Sequence, residues 1–367
     1  MEPLLTLQRL ARARLPAGVL RRLLETLSEP ATQISTDSDA LSPAQRERVR
    51  TALADESEEA IARRACELGI RAVTVGHPDY PKELLPFEDA PAVLFVRGSR
   101  IPPGPYAAVV GSRRPDNYGL EQASRFTRAL VSAGFTIVSG GAAGIDAISH
   151  ATAMDCGGRT IAVLGCGPDI TYPVCHRDLF RRILAGDGAI VAEFPPGTKP
   201  EPWHFPSRNR IIAAWSIVTL VIEAPEHSGA LITARNAAEY GREVLVVPGP
   251  VDTGRSRGCH QLIVDGATLV DRPEDVVEIA RARAGLLPET GSSAGAPEEK
   301  ELPSNLSVDE ILLFHAAGTV PLAFDALIGK SGLAAEECTV AATLLELKGL
   351  LCRDPGNRWR RAPGWAA

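Results

Sequence analysis

Between residues 107 and 249, short apolar runs alternate with stretches of helical spacing. The runs are AAVV (107–110), FTIVS (135–139), TIAVLG (160–165), AIVAE (189–193), IVTLVIEA (217–224) and EVLVVPG (243–249). Helical stretches such as YGLEQASRFTRALVSAG (118–134) and GALITARNAAEYG (229–241) lie between them. Repeated strand–helix–strand units point to a mostly parallel sheet with helices on both faces. The runs show little polar–apolar alternation, as strands covered on both faces should. Gly134 and Gly241 stand where the two helices should stop. The spacing therefore predicts a doubly wound α/β core over residues 67–285.

The flanks read differently. Residues 1–66 carry amphipathic runs, including VLRRLLETL, and Pro43 after Ser42 marks a helix start. This segment is neutral in charge, and we expect a small helical domain that serves as a packing accessory rather than a DNA contact. Residues 286–305, LPETGSSAGAPEEKELPSNL, have the composition of a flexible linker. Residues 306–367 hold three helical runs and then LLCRDPGNRWRR, a strand–turn–strand pattern, which together predict a winged helix. Its third helix, from about Ala335 to Lys348, carries Glu336, Glu337 and Glu346 against Lys348. A helix of that charge should repel phosphate. We expect a protein-contact module there rather than a duplex-DNA reader.

Composition narrows the classes. No apolar run reaches the ~18 residues of a membrane span, and the N-terminus lacks the apolar core of a secretory signal. The seven Cys form no CxxC pair, which argues against a disulfide scaffold or a zinc site. Reduced thiols fit a cytoplasmic protein. The formal net charge of −6 excludes wrapping by nucleic acid through bulk charge, but a local basic groove remains open. Arginine far outnumbers lysine among the 39 basic residues, which biased codons alone could explain. Each arginine nonetheless offers a planar fork for phosphate.

In a doubly wound sheet, ligands gather beyond the C-terminal strand ends. Gly111-Ser112-Arg113-Arg114 follows the first run and precedes a helix, which favours an anion site over a plain turn. Ser139-Gly140-Gly141-Ala142-Ala143-Gly144 also joins strand to helix and can present backbone amides. It is neither GxGxxG nor a nucleotide-hydrolysing P-loop. Asp146 and His150, just beyond, are better read as local hydrogen-bonding groups than as catalysts. Gly165-Cys166-Gly167 closes the third run, and Cys166 lacks the partners of a nucleophile. Lys199, Trp203, Phe205 and Arg208-Asn209-Arg210 form the densest basic–aromatic patch. It is either a groove for a single strand or a set of braces for the next helix. Further bends follow at 223–230 and 247–250. Together these loops make a ledge longer than one mononucleotide needs. Neither a carboxylate pair nor a metal-ligand cluster has convincing spacing, so no metal, cofactor or hydrolytic machinery is expected.

Taken in order, the blocks GSRRPDNYG (111–119), SGGAAGIDAISHATAM (139–154), TIAVLGCGPDITYP (160–173), EFPPGTKPEPWHFPSRNRIIAAWS (193–216), VIEAPEHSGALITARNAAEYGREVLVVPG (221–249) and RGCHQLIVDGATLV (257–270) resemble the DNA-processing protein A family (DprA, also called Smf). The likeness covers residues 70–280. It implies an extended Rossmann-like core, with a helical SAM-like domain and a winged helix as optional flanks. It further implies a cytoplasmic homodimer, not an enzyme, that binds single-stranded DNA, protects incoming DNA in natural transformation and loads the recombinase RecA. By the same resemblance, Gly111, Ser112, Arg113, Ser139, Gly140, Gly141, Gly144, Gly165 and Gly167 are phosphate contacts. Lys199, Arg208, Asn209 and Arg210 are groove residues. The chain departs from the family pattern at Val174-Cys175-His176, where a basic residue and Asn are usual, and at His260, where Asn is usual. Arg177 is the available substitute for the missing basic residue. The rival class is a Rossmann-type nucleotide phosphoribohydrolase, which shares Gly-Ser and Ser-Gly-Gly loops. Its Pro-Gly-Gly-x-Gly-Thr-x-x-Glu block is absent here, where PEHSGALITARNA stands instead.

Overall fold

A computed structural model of the chain describes residues 2–25, 41–286, 303, 306–318, 322–354 and 358–362. They fall into two compact units, Met1–Leu287 and Pro288–Ala367. The expected linker at 286–305 lies outside the described residues apart from Leu286, Pro303 and the ends it joins.

The first unit opens with α1 (Glu2–Arg12), α2 (Ala17–Glu25), α3 (Pro43–Leu53) and α4 (Glu58–Glu67). At the start of α3 the Ser42 hydroxyl accepts from the Gln45 amide while the Gln45 side chain accepts from the Ser42 amide, and Pro43 fills the first turn. The chain continues through β1 (Ile70–Thr74), β2 (Val93–Arg97), β3 (Tyr106–Gly111), α5 (Asn117–Ser132), β4 (Thr136–Ser139) and α6 (Ile145–Asp155). Then come β5 (Thr160–Leu164), α7 (Arg177–Ala185), β6 (Ala189–Ala192), α8 (His204–Trp215), β7 (Val218–Ile222) and α9 (Gly229–Glu239). The unit closes with β8 (Glu243–Val246), α10 (Arg257–Val264), β9 (Thr268–Leu269) and α11 (Pro273–Arg283).

These strands form one 9-stranded sheet in the order β1-β2-β6-β5-β4-β3-β7-β8-β9. From β6 to β9 every pairing is parallel. Only β2 runs against its neighbours, β1 and β6. Each apolar run of the sequence is a strand of this doubly wound sheet. Strands β1 and β2 add an edge that the run pattern did not announce. Neighbouring residues of β3 face opposite layers, and both layers are buried. Ala108 and Val110 join the core on one face, while Ala107 and Val109 join Phe126, Leu130 and Ile137 on the other. Full burial of one such Val or Leu side chain contributes about 1.5–3 kcal/mol. The helices α1 and α2 share a third cluster with the antiparallel edge: Leu4, Leu7, Leu10 and Leu23 pack with Ile70, Val93 and Phe95.

From β3 the chain winds outward to β4, β5 and β6, and from β7 it winds the other way to β8 and β9. Strands β3 and β7 lie side by side in parallel, with Gly111 opposite Ile222. The order reverses between them, so the crevice of a doubly wound sheet opens there.

The second unit holds α12 (Val308–Ala316), β10 (Leu322–Ala323), α13 (Phe324–Ser331), α14 (Ala335–Leu347), β11 (Leu351–Asp354) and β12 (Arg358–Arg361). Its sheet has the order β10-β12-β11. Leu313, Phe314, Leu327, Leu345 and Trp359 form a core of its own. This is a winged helix. Among the described residues no helix is long and apolar enough to cross a membrane.

Candidate functional site

Beyond the C-terminal ends of β3 and β7 lies a cavity of about 880 Å³. Its construction begins at Gly111. A Cβ there would collide with the Ile222 carbonyl oxygen and with the Ile145 side chain, so only glycine lets the two strands run this close. The Ser112 amide donates to the Glu223 carbonyl at 2.7 Å, and the Ser112 hydroxyl accepts from the Arg114 amide at 3.1 Å. The Ile145 amide donates to the Ser112 carbonyl at 3.1 Å. Gly144 has φ +81° and lies where a Cβ would strike that same carbonyl. Three strand-end loops are thus laced into one rim by backbone bonds.

Arg113 points outward from this rim. Its guanidinium lies 5.2 Å from the centre of the Phe205 ring, and Phe205 in turn lies 5.6 Å from the Tyr172 ring. Arg114 and Arg257 are exposed on the same cavity wall. Arg257 is only loosely engaged by Glu226, at 3.8 Å with both side chains mostly exposed. Opposite, α9 begins at the cavity, where the Ser228 hydroxyl accepts from the Ala230 amide at 3.3 Å. A helix N-terminus, three exposed arginines and two aromatic rings therefore face one open space.

The glycine loop after β4 is tied from within. Buried Asp146 accepts from the amides of Gly140 at 3.1 Å and Ala142 at 3.3 Å. Burial raises its carboxyl above the ordinary value, while the nearby Arg208 guanidinium pulls it back down. Arg208 is itself buried. It donates to the carbonyls of Gly140, at 2.6 Å, and Val163, and its Nε donates to Asn209 Oδ1 at 3.1 Å. Burial draws its pKa down to about 10, which leaves it a cation at neutral pH. Asn209 Nδ2 donates to the Gly229 carbonyl at 3.1 Å, fixing the start of α9. His150, buried on α6, bonds Thr160 Oγ1 at 2.6 Å, and burial takes it down to about 3. The Cys166 thiol is buried and pushed up to about 12 by burial, so it stays protonated.

Gly111, Ser112, Arg113, Arg208 and Asn209 line the large cavity. Gly140 and Gly165 line an adjoining recess of about 160 Å³ with Arg113, Tyr172 and Phe205. The other sequence candidates lie elsewhere. The buried Ser139 hydroxyl donates to the Val109 carbonyl at 2.7 Å, Gly141 packs against Phe180, and the Gly167 amide donates to the Thr198 carbonyl at 2.9 Å. Arg210 donates to Glu193 at 2.7 Å, and Lys199 is exposed away from both cavities. At 208–210 the structure thus shows bracing hydrogen bonds for all three side chains, with Arg208 and Asn209 also forming cavity wall. The departures from the family pattern are engaged as well. His176 Nδ1 lies 3.0 Å from the Gly141 carbonyl and His260 Nε2 lies 3.0 Å from the Gly249 carbonyl. Arg257 is a cavity cation that no sequence motif singles out. It opens the block RGCHQLIVDGATLV and is the first residue of α10, after a loop whose path the sequence does not reveal.

A family model described as DNA recombination-mediator protein A matches residues 71–281, and one described as the DprA winged helix domain matches 297–357. Protein Smf of Synechocystis sp. is 36% identical over 317 residues, covering 79% of this chain and 79% of its own. The solved structure of DNA processing protein A from Streptococcus pneumoniae superposes with a TM-score of 0.63 at 33% identity, covering 74% of this chain and 96% of that one. DNA processing protein A from Helicobacter pylori, whose structure gives insights into its own single-stranded DNA binding mode, has a TM-score of 0.51 at 27% identity over 57% of this chain and 94% of its own. The chain belongs to the DNA-processing protein A (DprA, or Smf) family.

Proposed function

We propose that this chain binds single-stranded DNA along the cavity between β3 and β7, gripping the phosphate backbone without reading sequence. The observation that carries the reading is the combination on one rim of exposed Arg113, Arg114 and Arg257, the N-terminus of α9, and the Tyr172 and Phe205 rings. Cations for phosphates beside flat faces for bases are the usual equipment for an unpaired strand. Arg208, Asn209 and Gly140 build the wall behind, and the Ser139–Gly144 and Gly165–Gly167 loops shape it. No turnover is part of this function. Asp146 is occupied by loop amides, and the Cys166 thiol is held protonated. In the cell the protein protects incoming DNA in natural transformation and loads RecA onto it, as a cytoplasmic homodimer.

The winged helix serves protein contact in this reading. Its α14 begins with Glu336 and Glu337 and exposes Val340, Leu344 and Leu347, while α12 exposes Val308, Ile311 and Leu312. Acidic and apolar surface suits another protein better than phosphate.

The test is fluorescence anisotropy with an unpaired oligonucleotide and a hairpin duplex across a salt series. The parent protein should prefer the unpaired strand and lose affinity steeply with salt. Arg113→Ala should weaken binding and reduce the salt slope by about 0.7, the share of one phosphate on a single strand. A variant whose curves overlay the parent's at every salt concentration would remove Arg113 from the site. Equal affinity for hairpin and single strand would overturn the preference.

A further inference from the structure

A second cavity, about 340 Å³, lies where the N-terminal helices meet the segment 193–204. Its volume is at the small end of the range for small-molecule sites. Trp203 stands at its mouth with 50% of its surface exposed. The indole is held in place. Its Nε1 donates to Glu201 at 2.5 Å, the Phe194 ring meets it edge-on at 6.3 Å, and His204 packs at 3.9 Å. Arg14, from the turn after α1, places its guanidinium 5.6 Å from the centre of the indole. Among the described residues no carboxylate pairs with Arg14. Its backbone has φ +51°, a conformation that glycine takes more readily than any side chain. His204 is 2% exposed and lines the same cavity; its ring lies near the backbone of Lys199 and Gly165, and its Nδ1 makes no hydrogen bond of good geometry. A buried ring nitrogen without a well-formed hydrogen bond marks a place where a polar group of a ligand can enter.

We infer that Trp203, Arg14 and His204 form a separate subsite for one unpaired nucleobase, stacked on the indole with Arg14 at its phosphate and His204 Nδ1 at its polar edge. The inference rests on the single-strand reading above and extends the strand's path. Pro202 walls the main cavity and Trp203 walls this one, so consecutive residues separate the two. The path then leaves the sheet and crosses onto the N-terminal segment, where the turn between α1 and α2 carries Arg14. A flat, fixed indole is tolerant of base identity because every base offers a π-face.

The experiment measures binding of oligo-dT and of an abasic strand of equal length, which keeps the phosphates and lacks the bases. Trp203→Ala should lower affinity for oligo-dT about tenfold, within the range for one stacked base, and leave the abasic strand unaffected. Trp203→Phe should restore most of the loss. Arg14→Gly suits the backbone at that position, so its thermal midpoint should hold or rise while oligo-dT binding falls several-fold. Three results would overturn the subsite. Trp203→Ala could match the parent on oligo-dT while Arg113→Ala weakens it, which leaves the wider reading standing. Trp203→Ala could weaken both strands alike, which makes the indole a structural support. A parent that binds neither strand would remove the single-strand reading and the subsite with it.

Discussion

Arg208 has the composition of a surface contact and the position of an internal strut. In the sequence it stands between Ser207 and Asn209, in a stretch dense with basic and aromatic residues. In the fold its guanidinium joins two carbonyls that belong to the ends of β4 and β5, with Asp146 close by. A buried cation that loses its partners, or partners that lose their cation, destabilise a fold by about 3–5 kcal/mol. Arg208→Ala should therefore lower folding stability by that order, read as a reduced denaturant midpoint, before any DNA is added. Arg113→Ala should leave the same midpoint unchanged, because its side chain is exposed. An Arg208→Ala protein as stable as the parent but unable to bind DNA would reassign Arg208 to direct contact. The motif alone could not separate these roles. Burial depends on Gly140, whose missing side chain leaves the space that the Arg208 guanidinium and the Asp146 carboxylate fill.

The elements of the sheet centre were legible because burial on both faces leaves unbroken apolar runs, as in Val218–Ile222. The edge was not. Ile70–Thr74 is only partly buried and pairs antiparallel, so it carries neither a continuous nor a cleanly alternating pattern. The candidate loops were legible by position, as bends that follow strands. Which amides remain free was not, because Asp146 takes those of Gly140 and Ala142 through a contact between loop and helix. The packing of α6 on β5 has a consequence for pH. His150 on α6 is held neutral against Thr160, with its pKa lowered from the ordinary 6.5 to about 3 by burial. The unfolded chain takes up a proton there near pH 6.5 and the folded one does not. Stability should thus fall as pH drops below about 6.5, by up to about 1.4 kcal/mol per pH unit from this group. His150→Gln should flatten that slope between neutral pH and pH 5 in urea titrations, and an unchanged slope would assign the acid sensitivity to other groups.

At the scale of the molecule, the N-terminal helices do not keep a core to themselves. Leu4, Leu7, Leu10 and Leu23 share one cluster with Ile70, Val93 and Phe95 of the antiparallel edge. Arg12 adds polar ties across the same seam, donating to Thr198 Oγ1 at 2.9 Å and to the Pro196 carbonyl at 2.7 Å. A chain begun at residue 68 should therefore show lowered solubility and bind a hydrophobic dye in its native state. The winged helix is different: Leu313, Phe314, Leu327, Leu345 and Trp359 fill an interior drawn wholly from its own residues. Ending the chain before Pro288 should leave a soluble first unit that retains single-strand affinity. Such a fragment that precipitates would show that the second unit shields it.

The shared seam also sets what can vary without harm. Because helix and strand side chains interdigitate there, a change in Val93 or Phe95 is felt by α1 and α2, and so by the turn that carries Arg14. Swapping this helical segment for one from a relative would transplant half of a jigsaw, and the grafted protein would inherit a gap or a clash unless the matching edge strands travelled with it.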